Sequence, residues 1–161
     1  MYKLLMLLYW LSTILTLTAF YGMNALSEPV KNDGFGGGNG NPTFVISFFL
    51  MPFILYFLYG TIELSMRIAS KWLTTRSIWL GILISSVYVA TVSVYTLKKA
   101  DDFRSYIVET KDAFDNPEDF SLFTIFSNYI FFNPLTFILV VMACFLAGLV
   151  WSLIRDRPKK E

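Results

Sequence analysis

The chain contains no histidine, and it has a single cysteine among its 161 residues. Without histidine, the usual general base and the commonest metal ligand are missing, which excludes Ser-His-Asp and Cys-His catalysis and zinc sites of the Cys/His type. Cys144 has no partner for a disulfide within the chain. We therefore expect a protein that is not an enzyme, with no catalytic residue, no cofactor and no metal ion.

Charged residues are also scarce. They make up 16% of the chain, whereas soluble domains carry about 25%. Apolar residues make up 55% and aromatic residues 18%, and the mean hydropathy is +0.56. The apolar residues are concentrated in runs of about 20, the length that a helix needs to cross a hydrocarbon core roughly 30 Å thick. The composition predicts an all-α integral membrane protein.

Four apolar runs predict a single bundle of four transmembrane helices, at residues 4–26, 43–62, 78–97 and 135–154. The second helix is expected to extend to about residue 73. The second and third helices are expected to form a helical hairpin about a short basic hinge, which contains Arg67, Lys71 and Arg76. Residues 27–42, which are rich in glycine, and residues 98–134 are then outer loops. The alternative for the first run is a cleaved signal peptide, but its apolar part is longer than the usual stretch of about 7–15 residues.

The second outer loop contains a further helix signal. Asn116 and Pro117, followed by two acids, are typical of a helix start. Residues 120–132 are too short to span a bilayer, and their apolar side chains recur at helical spacing. The pattern predicts a short amphipathic helix in the membrane interface before the last span, with a re-entrant hairpin as the alternative. Its apolar face would consist of Phe120, Phe123, Phe126 and Ile130.

Basic residues are unevenly distributed between the two sides of the predicted membrane. Residues 1–3, 63–77 and 155–161 hold eight basic and three acidic residues, whereas the two outer loops hold five basic and nine acidic residues. Short loops rich in Lys and Arg stay on the cytoplasmic side. The sequence therefore predicts a multi-pass protein of the cell membrane with both termini in the cytoplasm.

Small residues recur along two of the predicted spans. Such stripes allow helices to approach closely and to form hydrogen bonds with each other. We interpret them as helix-packing positions, Cys144 included, although in the third span a polar pore lining would look similar. The candidates are Ser86, Ala90 and Ser93 in the third span, and Ala143, Cys144, Ala147 and Gly148 in the fourth.

Glu63 and Arg67 are the candidate contact or coupling residues. They lie four positions apart where the second helix leaves the bilayer, so their side chains share one face and can pair. A carboxylate at membrane depth is costly unless it is paired. The alternative is an ion pair that only ends the span.

With these features, we expect a small, non-catalytic membrane protein, bacterial in origin, that acts through contacts. Its partners would be the lipid bilayer and another membrane protein or itself, with no nucleic acid. It would serve as an accessory, regulatory or protective subunit. The alternative is a transport or channel component whose pathway forms on oligomerisation, suggested by Pro52, Gly60 and the hydroxyls of the third span. A membrane enzyme or a loose Ca²⁺ site using outer-loop carboxylates is a further alternative.

Overall fold

The computed structural model describes residues 2–30, 40–110 and 116–155, which are helical apart from short turns and connections. Four of the helices are long and apolar enough to cross a membrane, which confirms the all-α membrane architecture and the short helix before the last span. Two 3-10 turns, at Pro117–Asp119 and Ile125–Ser127, precede that short helix. The helices are α1 (Tyr2–Ala25), α2 (Phe44–Trp72), α3 (Thr75–Thr110), α4 (Asn128–Phe131) and α5 (Pro134–Arg155).

The long helices pack side by side in the order α1, α2, α5, α3. Only Leu73 and Thr74 separate α2 from α3, yet these two helices do not pack along each other, as the predicted hairpin would require. They diverge from the hinge, and α5 fills the space between them. Ala69, Ile78 and Leu149, one residue from each of these helices, form a buried cluster near the hinge.

The helix that contains the third predicted span does not end near Leu97, since α3 continues to Thr110. Its last turns carry lysines and acids, and for that reason the sequence predicts a loop there. The helix persists since Ala100 and Ile107 are seven residues apart on one face and are buried. Ile107 forms a second buried cluster with Phe120 and Phe126, and this contact supports the helical extension.

We call residues 116–133 the cap, and the side of the protein where it lies the acidic end. The predicted helix over residues 120–132 is wrong in extent, since only Asn128–Phe131 is α-helical. Ser127 Oγ donates to Leu122 O at 2.6 Å and accepts from Thr124 N at 3.0 Å, and such side-chain to backbone bonds compete with a helix.

The predicted apolar face of the cap is also only partly correct. Phe120, Phe126 and Ile130 are buried, but Phe123 is 45% exposed. Of the polar residues that lie between these positions, Ser121 is exposed, but Thr124, Ser127 and Asn128 are almost completely buried. The cap is therefore a folded unit that buries both apolar and polar side chains, and its depth relative to the lipid stays a prediction.

Candidate contact site

Glu63 and Arg67 form an ion pair on the surface of α2, with 2.7 Å between Glu63 Oε1 and Arg67 Nε. The Arg67 side chain is 63% exposed and that of Glu63 is 29% exposed. Pairs of this kind stabilise a hydrated helix by roughly 0.2–0.5 kcal/mol. The geometry fits an ion pair at the end of the span, and a role in contact or coupling stays a prediction.

The small residues of α5 are divided between two faces. Cys144 and Gly148 are buried, whereas Ala143 is half-buried and Ala147 is exposed. A Cβ added at Gly148 would lie 2.6 Å from the Cβ of Ser65 on α2. One turn later along α5, the hydroxyls of Ser152 and Ser70 are hydrogen-bonded at 3.0 Å. The buried face of α5 therefore packs directly against α2.

The matching stripe on α2 was missed by the sequence analysis. Thr61, Ser65 and Ala69 are all buried, and they recur every four residues, as do Cys144, Gly148 and Ser152 on α5. The spacing of small residues was a sufficient signal to find them. The two stripes allow close approach of the helices, which is a structural role.

The stripe predicted for the third span is not a single contact surface. Ala90 is exposed, and Ser86 and Ser93 are only half-buried. The neighbouring Ser85 is instead fully buried. It lies one turn after Gly81, where an added Cβ would be 2.8 Å from Leu149 Cδ1. Since α5 packs closely against Gly81, the face of α3 that carries Gly81 and Ser85 is turned toward the protein interior.

Gly60, a feature of the transport alternative, lies where α1 crosses α2. A Cβ at this position would overlap the ring of Tyr9, with 2.8 Å to Cε2. The Tyr9 hydroxyl is hydrogen-bonded to that of Thr61 at 3.1 Å, and its ring stacks on Phe57. In this structure Gly60 therefore provides space for an aromatic side chain.

Arg104 holds the cap against α3. Its Nε donates to Pro117 O and to Phe120 O, both at 2.8 Å, and its side chain is only 15% exposed. Asp101, which is largely exposed, lies 3.7 Å from the guanidinium. The guanidinium thus gives Phe120 O a charged donor and gives Pro117 O a second donor, beside the Phe120 N–H at 3.2 Å.

Asn128 joins the cap to the start of α2. Its Nδ2 donates to Thr43 Oγ1 at 3.0 Å, and its Oδ1 accepts from Asn41 Nδ2 at 2.6 Å. A separate bond, from Asn24 Nδ2 to Phe132 O, joins the cap to the end of α1. The cap is therefore anchored to three of the long helices, including α3 through Arg104.

A groove of about 430 Å³ opens between the cap, the end of α3 and residues 27–30. We call it the aromatic groove. Glu28 is exposed at its wall, as is Tyr106, with 51% of its surface accessible. Partial burial raises the pKa of the Tyr129 phenol above its ordinary value. The groove lining includes Ser27, Glu28, Phe103, Tyr106, Phe126 and Tyr129.

The carboxylates of the acidic end do not form a metal site in the part of the chain that the structure describes. Within residues 2–30, 40–110 and 116–155, no three His, Cys, Asp or Glu side chains are grouped so that they could hold a metal ion.

Comparisons with known proteins give no relative for this chain. No protein-family model matches the sequence, and neither curated proteins nor solved structures give a match. The function is therefore inferred from the geometry of this chain alone.

Proposed function

We propose that this protein is a non-catalytic membrane subunit that acts by binding another membrane protein through the aromatic groove. Such a subunit would be accessory, regulatory or protective. The supporting observation is that aromatic side chains line an open groove on a cap that is fixed to three helices. Binding energy at protein interfaces is concentrated on aromatic residues and on arginine. A site that is already rigid loses less conformational entropy when a partner binds.

We further propose that the cap lies outside the cell and that both termini are cytoplasmic. The end of the molecule opposite the cap carries Lys3, Arg67, Lys71, Arg76 and Arg155, with Glu63 as its one acid in the described residues. The four tryptophans are exposed and lie in the half of each long helix that is nearer this end, namely Trp10, Trp72, Trp79 and Trp151. Basic residues favour the cytoplasmic side, and tryptophan favours the interface.

The contacts between helices support a binding role over a transport pathway. They consist of small residues and aromatic rings, such as the stack of Phe57 on Phe137 between α2 and α5. Between Lys3 and Glu28, and between Arg76 and Lys98, the sequence has no Asp, Glu, Lys or Arg. Ionisable groups inside a span are the usual mark of proton and ion pathways.

The test is photo-crosslinking in the native membrane. A photoreactive phenylalanine analogue replaces Tyr106 in the groove, and the matched control carries it at Tyr95, which is exposed on the same helix outside the groove. We expect a crosslinked membrane protein with the probe at Tyr106, and loss of its co-purification in gentle detergent on Tyr106→Ala.

Two results would contradict the proposal. Equal crosslinking from both positions would mean that the groove is not the contact site. Crosslinks only between copies of this chain, together with ion flux in liposomes, would favour the transport or channel alternative.

A further inference from the structure

The aromatic groove combines electron-rich rings with a carboxylate. Phe103, Tyr106 and Tyr129 contribute their rings, and Glu28 contributes the charge. The rings of Phe103 and Tyr129 meet edge to face, with centroids 6.0 Å apart and planes at 90°. This arrangement leaves the faces of the two rings pointing in different directions, as in sites that surround a cation.

One cation already lies on a ring at this site. Lys99 Nζ lies 5.4 Å from the centroid of Tyr129, within the range of about 6 Å in which an ammonium is attracted to an aromatic face. The ring of Tyr129 is therefore accessible to a positive charge. Partial burial, which raises the pKa of Tyr129, also strengthens such an attraction because less water screens it.

The charge around the groove favours a cation over an anion. The described residues at the acidic end include six acids, namely Glu28, Asp101, Asp102, Glu109, Glu118 and Asp119, against three basic residues. Two of the three are engaged, Lys99 with Tyr129 and Arg104 with carbonyls of the cap.

We propose that the aromatic groove binds a lysine or arginine side chain from the exposed segment of a partner protein, between the faces of the tyrosine rings and the Glu28 carboxylate. This inference rests on the proposed function, since it gives the chemistry of the partner segment. It predicts that the partner presents a basic segment on the cap side of the membrane.

The test uses the full-length protein in nanodiscs of neutral lipid. The probes are two fluorescein-labelled hexapeptides, one with alternating arginine and glycine and one with glutamate in place of arginine, and binding is followed by fluorescence anisotropy. We expect only the arginine peptide to bind. Tyr106→Ala should weaken its affinity roughly 2- to 30-fold, the range for a cation on an aromatic face, and Tyr106→Phe should retain most of it.

The carboxylate is tested with a matched pair of variants. Glu28→Gln and Glu109→Gln remove the same charge from the same end, but only Glu28 lines the groove. Glu28→Gln should weaken binding more than Glu109→Gln, and Lys99→Gln, which removes the competing ammonium, should strengthen it.

An equal loss of peptide affinity in Glu28→Gln and Glu109→Gln, or equal binding of both peptides, would overturn the inference. Crosslinking from Tyr106 to a partner would still be observed in that case, so the proposed function and this inference can fail separately.

Discussion

Gly148 of α5 and Ser65 of α2 lie so close together that an added Cβ on Gly148 would be 2.6 Å from the Ser65 Cβ. The same Cβ would lie 2.7 Å from Ile62 O, which is backbone and cannot rotate away. The contact joins two parallel spans that are far apart in the sequence. In lipid, where apolar side chains gain little by leaving the solvent, such close packing is a main source of helix association.

Gly148→Ala should therefore destabilise the protein by about 1–3 kcal/mol, the usual cost of overpacking a filled contact. The measurement is the free energy of unfolding in mixed detergent micelles. Ala147→Leu is the control, since it adds a larger group on the exposed face of the same helix and should change stability little. A wild-type value for Gly148→Ala would mean that α2 and α5 are further apart than described.

Arg104→Gln should loosen the cap. It removes the donor that serves Pro117 O and Phe120 O, and hydrogen bonds from charged groups contribute about 1.5–3 kcal/mol. Amide hydrogen exchange of residues 118–120 should accelerate, while exchange in the spans stays as in the wild type. Lys98→Gln, at an exposed position on the same helix, should leave exchange in the cap unchanged.

Asn128→Ala should destabilise the cap by about 1–3 kcal/mol, because it leaves polar atoms of Asn41 and Thr43 without the partner they have in the structure. In the double variant with Asn41→Ala, the loss of stability should be smaller than the sum of the losses in the two single variants. Each single change already removes the same hydrogen bond between Asn41 and Asn128. The double-mutant cycle is measured by thermal unfolding. Strict additivity would show that the two side chains do not interact.

Glu63→Gln should lower the free energy of unfolding by less than about 0.5 kcal/mol, because the pair with Arg67 lies on the exposed surface of α2. Expression and insertion should stay as in the wild type. If partner co-purification is lost while stability is unchanged, Glu63 is a contact or coupling residue, as the sequence analysis suggests, and the surface-pair interpretation is wrong.

The orientation is tested by labelling intact cells with a thiol reagent that does not cross membranes. In a Cys144→Ala background, a cysteine at Glu109 at the end of α3 should react, and one at Thr75 in the hinge should not. Both positions are exposed, so access from the outside decides the result. Labelling at Thr75 alone would place the cap in the cytoplasm.

The sequence alone was sufficient for the class of protein and the number of spans. Runs of about 20 apolar residues are local features, and a bilayer demands them whatever the rest of the chain does. The excess of acidic over basic residues in the two predicted outer loops is local in the same way, as is the i,i+4 spacing of Glu63 and Arg67. No property of the tertiary structure was needed to find them.

The faces of the helices were decided only by tertiary structure. In a span, residues that face lipid and residues that face protein are both apolar, so periodicity does not separate them. The sequence therefore pointed to Ser86 where packing against α5 buries Ser85. It likewise paired α2 with α3 through their short connection, although α5 lies between them.

Which side chains are buried inside the cap was not predictable from the local sequence, for a different reason. Asn128 is polar and would be expected to face water, but its partner Asn41 lies 87 residues away. A buried polar group is stable only when its hydrogen bonds are satisfied, and the sequence near Asn128 does not show that partner. The aromatic groove has the same origin, since Glu28, Tyr106 and Tyr129 come from three separate segments and meet only when the cap folds onto α3.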